Sequence, residues 1–255
     1  MDDIKDTFAT NAFEEDMLKP HVANAISGRD DLSPFVVHLT RDDRSDFSNG
    51  NTASDNLLKI LKGKMIFAVR PHCIYNNEIA ELFDEADRSC SVACFTEVPL
   101  SQIHKLTGVI PGRATKLESY GIVFRKDRLI HAGAQPAIYV NSYGENSYLR
   151  EAYRAMFNMA KINLKSKFWR IVPLLNAMHE RHDFSWEREW RMCKTFHFKL
   201  ADVVCVILPF DGEDKLKSLA AKAGVAVISP GLNYEQIILE LSSQQRTTKT
   251  VSAAI

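Results

Sequence analysis

Neither sign of charge dominates this sequence. Lysine plus arginine and aspartate plus glutamate both total 32 in 255 residues, so the formal net charge is zero. Because no global field attracts a polyanion, nucleic acid would have to be met by a local basic patch. Long hydrophobic runs are lacking too, since VVCVILPF at 203–210 falls far short of the roughly 20 apolar residues that span a bilayer. We expect no membrane partner and interpret this run as a buried strand.

Cysteine is scarce and odd in number: the five are Cys73, Cys90, Cys94, Cys193 and Cys205. The start, MDDIKDTF, lacks the basic and apolar regions of a secretory signal. Both features favour a reducing cytoplasm. Cys90 and Cys94 with His72 and Cys73 offer zinc ligands, but adjacent His72 and Cys73 rarely reach one ion. We therefore expect no metal.

Several common catalytic motifs are absent as well. There is no G-x-G-x-x-G after a strand, no Walker A loop, no H-E-x-x-H and no G-x-S-x-G. A cofactor held by a dedicated glycine-rich loop is therefore disfavoured.

What is present is the composition of a globular protein, 45% hydrophobic and 25% charged. Strand-like and helix-like segments follow one another without an internal repeat, which predicts an α+β fold. We expect a helical acidic segment over 1–33, one domain over 34–241 and a flexible tail over 242–255. A long helical region is predicted over 146–182, with a break or kink at Pro173.

The stretch DFSWEREWRMC, residues 183–193, is the strongest candidate for a site. If it is a strand, Glu187, Glu189 and Arg191 share one face, and Trp186 and Trp190 share the core face. Two carboxylates on one face repel, which costs stability and favours a functional reason. A solvated face with a surface Glu–Arg pair is the alternative.

Two further polar positions lie in apolar strands. In VVHLT, alternation places His38 and Thr40 on one face, where imidazole and hydroxyl can bind one polar ligand. In ACFTEVP, Thr96 either donates to a ligand or caps the following turn, and Glu97 is expected to face solvent. A histidine satisfied within the core is the alternative for His38.

A local basic patch is present at KINLKSKFWR, residues 161–170. Cations interleaved with aromatic rings suit phosphate contact and base stacking, and the alternative is a solvated helix face with Trp169 buried. The candidate nucleic-acid residues are Lys165, Lys167, Trp169, Arg170 and Arg191.

Taken together, FVVHLTR, NLLKIL, ACFTEVPL, YGIVFRKDRLIHAGAQPAIYV and FSWEREWR resemble the order of motifs in AbiGi-like abortive-infection proteins, a phage-defence family. The likeness covers roughly residues 35–230. A His-x-Thr strand, a helix beginning Asn-Leu, and a late Glu-x-Glu strand are also similar to ADP-ribosyltransferases, including DarT-like toxins that modify nucleic acid. This resemblance implies a split β-sheet core with flanking helices, and NAD as the substrate.

Carried over position by position, the resemblance makes Glu189 the catalytic glutamate and Glu187 the acid facing the acceptor. His38 and Thr40 would hold the nicotinamide and its ribose, with His38 donating a hydrogen bond. Thr96 matches the central hydroxyl, and Tyr120 is also assigned to the NAD site. The central strand lacks the full Ser-Thr-Ser pattern of that superfamily, and a substrate-recognition loop before Glu187 has no strong match.

The sequence therefore predicts an NAD-dependent mono-ADP-ribosyltransferase toxin of phage defence, with RNA favoured over DNA as the acceptor. A toxin implies a neutralising antitoxin protein as a partner. Two alternatives stay open: a non-catalytic antitoxin or regulatory partner on a degenerate transferase scaffold, and an NAD glycohydrolase that uses water as the acceptor.

Overall fold

A computed structural model describes residues 31–43, 50–70, 74–83, 90–113, 115–143, 147–180 and 182–252. Apart from its last three residues, the acidic segment expected over 1–33 lies outside these ranges. His72 and Cys73, two of the four zinc candidates, lie outside them as well.

Twelve strands and six α-helices alternate along the described chain. The strands are β1 (Phe35–Leu39), β2 (Met65–Ile66), β3 (Ala93–Thr96), β4 (Gly121–Arg125), β5 (Gln135–Pro136), β6 (Ile138–Asn141), β7 (Leu175–His179), β8 (His182–Asp183), β9 (Glu189–Met192), β10 (Phe196–His197), β11 (Val203–Ile207) and β12 (Ala226–Ile228). The helices are α1 (Ala53–Gly63), α2 (Asn76–Leu82), α3 (Lys126–His131), α4 (Tyr148–Lys161), α5 (Asp214–Lys222) and α6 (Tyr234–Ser252). Short 3₁₀ helices, among them Leu100–Leu106 and Ser185–Glu187, join several of them.

A seven-stranded sheet forms the centre, in the order β12-β11-β4-β1-β3-β9-β5. All its pairings are antiparallel except that of β11 with β12. Beside it lie a two-stranded sheet, β10-β2, and a three-stranded sheet, β6-β7-β8. The prediction of a mixed α and β fold is confirmed at this level.

Both faces of the central sheet are covered by packed side chains. β1 shows this, since its apolar residues point to both sides and each set is buried. Val36 packs into a core that includes α1 and the phenylalanines at 95, 124 and 196, whereas Val37 and Leu39 pack into a second core against β11 and β12. A third core lies under α4 and contains Phe157 and Trp169. Burial on both faces fixes the register of β1, since a slip by one residue would exchange its two apolar sets.

The sheet opens between β1 and β3. β1 shares five registered pairs with β4 but only one with β3, Val37 with Thr96. On its tight side β1 approaches β4 so closely that a Cβ at Gly121 would lie 2.9 Å from the His38 carbonyl oxygen, and glycine permits this approach. Beyond this single pair the two strands share no registered partners, so β1 and β3 diverge there.

Two local expectations were wrong. The helix predicted over 146–182 ends at Lys161, and 3₁₀ turns and β7 follow it. The polar stretch 242–252 is the end of α6 rather than a tail. The N-cap of α1 is Thr52, which accepts a hydrogen bond from the Asp55 amide in a capping box.

Among the described helices, none combines the length and the hydrophobicity that crossing a membrane requires.

Candidate functional site

A cleft of about 690 Å³ lies where β1 and β3 diverge. Six residues singled out in the sequence line it: His38, Thr40, Thr96, Glu187, Glu189 and Arg191. They come from β1, β3 and the 185–191 segment, so the fold brings together positions up to about 150 residues apart in the chain.

Glu189 begins β9 opposite Thr96, and its backbone is fixed on both sides. Its amide donates to the Tyr139 hydroxyl at 3.2 Å, and its carbonyl accepts from the Ala137 amide at 2.8 Å. Its Oε2 accepts from Arg191 Nη2 at 2.7 Å and from Asn176 Nδ2 at 3.4 Å. The carboxylate is therefore held in one position by an ion pair and an amide.

Arg191 holds Glu189 and is itself almost completely buried, with 2% of its surface exposed. Its Nη1 donates to the carbonyls of Pro173 at 2.8 Å and Leu175 at 3.4 Å. The guanidinium thus connects β9 to the start of β7. Its assignment to nucleic-acid contact was wrong, because a buried guanidinium committed to a carboxylate and two carbonyls cannot meet a phosphate backbone.

Cys94 completes the surroundings of Glu189. It pairs with Arg191 across β3 and β9, and its thiol is a hydrogen-bond partner of the Glu189 carboxylate. Burial, followed by the neighbouring Glu189 charge, raises the pKa of Cys94 well above its ordinary value. The thiol therefore stays protonated and donates. Cys90 packs in the third core among apolar side chains.

Glu187 reaches the cleft from a turn. It ends the 3₁₀ helix Ser185–Glu187, and Arg188 follows with φ of 50°, in the left-handed region. The Glu187 carboxylate pairs with Arg113 Nε at 3.3 Å. Burial raises the pKa of Glu187, Arg113 opposes that shift, and Glu189 adds to it. The expected strand face shared by Glu187, Glu189 and Arg191 was therefore wrong, although all three line one cleft.

The tryptophans of this segment also differ from expectation. Trp186 is 43% exposed and donates from Nε1 to the Asp183 carbonyl at 3.2 Å, so it is not a core anchor. Trp190 is half-buried against the first core and donates from Nε1 to Glu97 at 2.7 Å. Glu97, expected to face solvent, is buried and also pairs with Lys126 at 2.9 Å. Glu97 thus anchors β9 through Trp190.

His38 inserts its ring between the diverging strands. Nδ1 lies 2.8 Å from the Cys94 carbonyl oxygen, and because a carbonyl can only accept, Nδ1 carries the proton. Burial lowers the pKa of His38, opposed by this hydrogen bond and reinforced by Arg41. The ring is therefore neutral at pH 7, and Nε2 is an acceptor. The expectation that His38 donates to a ligand is corrected: toward a ligand it accepts.

The two threonine hydroxyls hold backbone in place. Thr40 Oγ1 lies 2.8 Å from the Ala53 carbonyl and 3.2 Å from the Tyr120 carbonyl, which fixes the start of α1 to the end of β1. Thr96 Oγ1 donates to the Glu187 carbonyl at 2.5 Å and accepts from the Val98 amide at 3.2 Å. Both threonines line the cleft, yet their hydroxyl protons are already used inside the protein.

Tyr120 is the one predicted NAD-binding residue that does not line the cleft. Its ring packs against the first core, and burial raises the pKa of its hydroxyl, as do Glu213 and Asp211 beside it. Its assignment was wrong because its side chain turns toward the α5 side of the sheet, and only its carbonyl reaches Thr40.

Trp169 is not available for base stacking. It is 4% exposed and packs edge-on against Phe83 and Phe157. Its assignment to nucleic-acid contact was wrong, because the third core requires its ring. Lys165, Lys167 and Arg170 are exposed, as expected of a basic surface.

Several cleft residues were missed, among them Arg41, Cys94, Arg113 and Asn176. Arg113 lies in a polar turn and Asn176 in a segment predicted as helix, so no local pattern marks either one. Arg41 follows the VVHLT strand directly and offered the one usable signal, a cation next to a candidate site.

Comparison with protein-family models, with curated proteins and with solved structures finds no match for this chain. The resemblance to AbiGi-like proteins and ADP-ribosyltransferases therefore stays a prediction.

Arg113→Ala should raise the pKa of Glu187 further, because Arg113 is the group that opposes the effect of burial there. Carbon-13 NMR titration of the side-chain carboxyl would measure it. Lys116→Ala is the matched control, since Lys116 lies on the same turn and pairs with Glu118 at 2.6 Å. An unchanged Glu187 titration in the Arg113 variant would contradict the pairing.

Proposed function

We propose that this protein is an NAD-dependent mono-ADP-ribosyltransferase that acts as a toxin in phage defence. The single observation that carries the proposal is the convergence of His38, Thr96 and a rigidly held Glu189 on one cleft. The opening of the sheet between β1 and β3 at this cleft supports an ADP-ribosyltransferase-like split core.

Breaking the bond between ribose and nicotinamide builds an oxocarbenium-like cation at the anomeric carbon, and the bonding electron pair leaves with nicotinamide. Glu189 accepts a hydrogen bond from the ribose 2′-hydroxyl and stabilises this charge as it develops. The Arg191 pair and the Asn176 amide keep the carboxylate preorganised. The acceptor then bonds to the anomeric carbon and loses its proton.

His38 and Glu187 take complementary parts. His38 Nε2 is an acceptor and suits a ribose hydroxyl donor. Glu187, with a pKa raised by burial, is placed to orient the acceptor group or take its proton. Thr96 acts through its hydrogen bond to the Glu187 carbonyl and is a positioning residue.

The charge of the cleft supports an anionic ligand. Five cationic side chains and three carboxylates line it, so two positive charges are left over. The cations are Arg41, Lys59, Arg70, Arg113 and Arg191, and the carboxylates are Asp43, Glu187 and Glu189. Two excess positive charges complement the diphosphate of NAD.

Arg41 is the cation best placed for that diphosphate. It is exposed at the rim, and its guanidinium donates to the Thr115 hydroxyl at 3.0 Å, a neutral partner. Arg113 and Arg191 are instead committed to Glu187 and Glu189. A guanidinium that, among the described residues, pairs with a neutral hydroxyl suits bidentate contact with a phosphate.

Arg41→Ala should weaken NAD binding about 10- to 150-fold, the loss of one charge-assisted contact of roughly 1.5–3 kcal/mol. Titration calorimetry with NAD measures it. Arg150→Ala, an exposed arginine on α4, is the control and should leave affinity unchanged. Equal affinity for both variants and wild type would remove Arg41 from the nucleotide site.

Nucleic acid, with RNA ahead of DNA, remains the proposed acceptor. Its support now consists of three exposed cations, Lys165, Lys167 and Arg170, because Trp169 and Arg191 are buried. The loss of the stacking ring favours one second candidate, an NAD glycohydrolase in which water attacks the same anomeric carbon.

The deciding experiment incubates the protein with NAD labelled in the adenylate half, in the presence of separate pools of RNA, DNA and protein. Label on RNA with release of nicotinamide is the expected result. Nicotinamide release without transferred label identifies the glycohydrolase. No nicotinamide release from any pool, with wild type indistinguishable from Glu189→Gln, overturns the enzymatic proposal.

A further inference from the structure

The outer face of α4 carries an apolar stripe that the described part of the protein leaves uncovered. Tyr148 is 86% exposed, Met159 72% and Ile162 90%, and Ala152 and Ala155 lie between them at helical spacing. Large apolar side chains that recur along one helix face mark an interaction surface more often than scattered exposure does.

Positive charge surrounds this stripe. Residues 147–170 contain six basic side chains and one acidic one. The basic residues are Arg150, Arg154, Lys161, Lys165, Lys167 and Arg170. The occupant of this surface should therefore combine apolar and acidic side chains.

The exposed side chains favour a peptide over nucleic acid. Phe157, Phe168 and Trp169 are buried, which leaves Tyr148 as the one largely exposed ring over 147–170. What the stripe offers is mainly aliphatic, Met159 and Ile162 above all, and these provide no flat platform for a base. Aliphatic side chains flanked by cations instead match an amphipathic acidic segment.

We propose that the acidic N-terminal segment of this same chain, residues 1–30, docks along α4. Residues 1–30 carry seven acidic and three basic side chains, so their excess of four negative charges faces an excess of five positive charges over 147–170. Between the acids, Ile4, Phe8, Phe13 and Met17 recur every four or five residues. The segment thus offers both kinds of contact that the stripe requires.

The N-terminal segment joins the described chain at a point from which it can reach α4. Arg188 donates to the Asp31 carbonyl, so the segment begins beside the 185–188 turn. Five residues before Arg188, Asp183 accepts from the Tyr143 hydroxyl at 2.9 Å, and Tyr143 precedes α4 by five residues. A helix the length of α4 spans about 21 Å, whereas 30 residues reach about 45 Å even when helical.

Docking has a consequence for the basic surface. The acidic segment neutralises Lys165, Lys167 and Arg170 and thereby screens them from any polyanion. This inference concerns residues 147–170 and does not depend on the proposed enzymatic activity, although the docked segment covers the cations proposed to meet nucleic acid.

Variants of the full chain in which the signs of charged side chains are reversed test the proposed docking. Three variants are compared by hydrogen exchange: Glu14→Lys/Glu15→Lys in the segment, Arg150→Glu/Arg154→Glu on α4, and the two pairs combined. Each pair alone should lower amide protection of α4 and of residues 1–20 about tenfold, equivalent to a docking loss of about 1.4 kcal/mol. The combined variant should regain protection, because the charges are opposite again.

Asp211→Lys/Glu235→Lys is the matched control, since both carboxylates are exposed far from α4 in sequence, and it should exchange as wild type does. Circular dichroism confirms that each variant is folded. Identical exchange in wild type and both single-pair variants overturns the proposal. Protection that rises with protein concentration also overturns the proposal, because a second copy then occupies the stripe. Protection that appears only with added RNA overturns it too, because nucleic acid then occupies the stripe.

Discussion

Glu189→Gln should slow cleavage of NAD about a hundred- to a thousandfold, the effect of losing one preorganised electrostatic contact of roughly 2.7–4 kcal/mol. The amide keeps the size of the carboxylate but brings no negative charge to the developing oxocarbenium cation. Nicotinamide release under saturating NAD measures the rate. Because the loss is confined to the transition state, kcat should fall while NAD affinity changes little.

Two controls separate chemistry from folding. Glu151→Gln removes an exposed carboxylate on α4 and should retain the wild-type rate. Glu187→Gln removes the other cleft carboxylate and should impair transfer to the acceptor more than release of nicotinamide. If Glu189→Gln cleaves NAD as fast as the Glu151 control does, Glu189 is not the catalytic glutamate.

Secondary-structure elements that are defined by the spacing of their own apolar residues were predictable from the sequence. The apolar run VVCVI gives β11 as expected, since a buried strand is defined by its own run of apolar residues. The helix predicted over 162–182 was wrong because this segment is defined by contacts with distant parts of the chain. Phe168, Trp169 and Val172 fit helical spacing, but they fill the third core from 3₁₀ turns, and β7 pairs with β6 about 35 residues earlier.

The candidate site was also predictable only in part. The residue types of Glu189 and His38 drew notice because carboxylate and imidazole are unusual in apolar strands. Their partners were invisible, because Arg113, Asn176 and Cys94 meet them only through the folding of distant segments. The left-handed Arg188 was also hidden, since a non-glycine residue gives no signal for positive φ, and this residue moves Glu187 out of the strand.

Tyr120 and Trp169 show how residue chemistry alone misleads. Both rings suit a nucleotide or a base, but both supply apolar area that a core requires. Arg191 is the clearest case. Its guanidinium has the most suitable chemistry for a phosphate, yet it is the most deeply buried of the five nucleic-acid candidates.

Arg191→Met should lower the free energy of unfolding by about 3–5 kcal/mol, the usual consequence of removing one partner from a buried ion pair. The thioether fills much of the volume, but Glu189 loses its cation and the Pro173 and Leu175 carbonyls lose their donor. Urea denaturation at pH 7 measures the change. Arg170→Met, at a nearby exposed arginine, is the control and should change stability by no more than about 0.5 kcal/mol.

The double variant Arg191→Met/Glu189→Gln identifies the origin of that loss. If the destabilisation comes from a carboxylate left without its cation, the neutral amide should recover about 1–3 kcal/mol of it. If the double variant is no more stable than Arg191→Met, the two carbonyls of the β7 segment account for the role of Arg191. In that case Glu189 owes its position to its backbone hydrogen bonds with Ala137 and Tyr139, and the ion pair with Arg191 contributes little to the rigidity of the cleft.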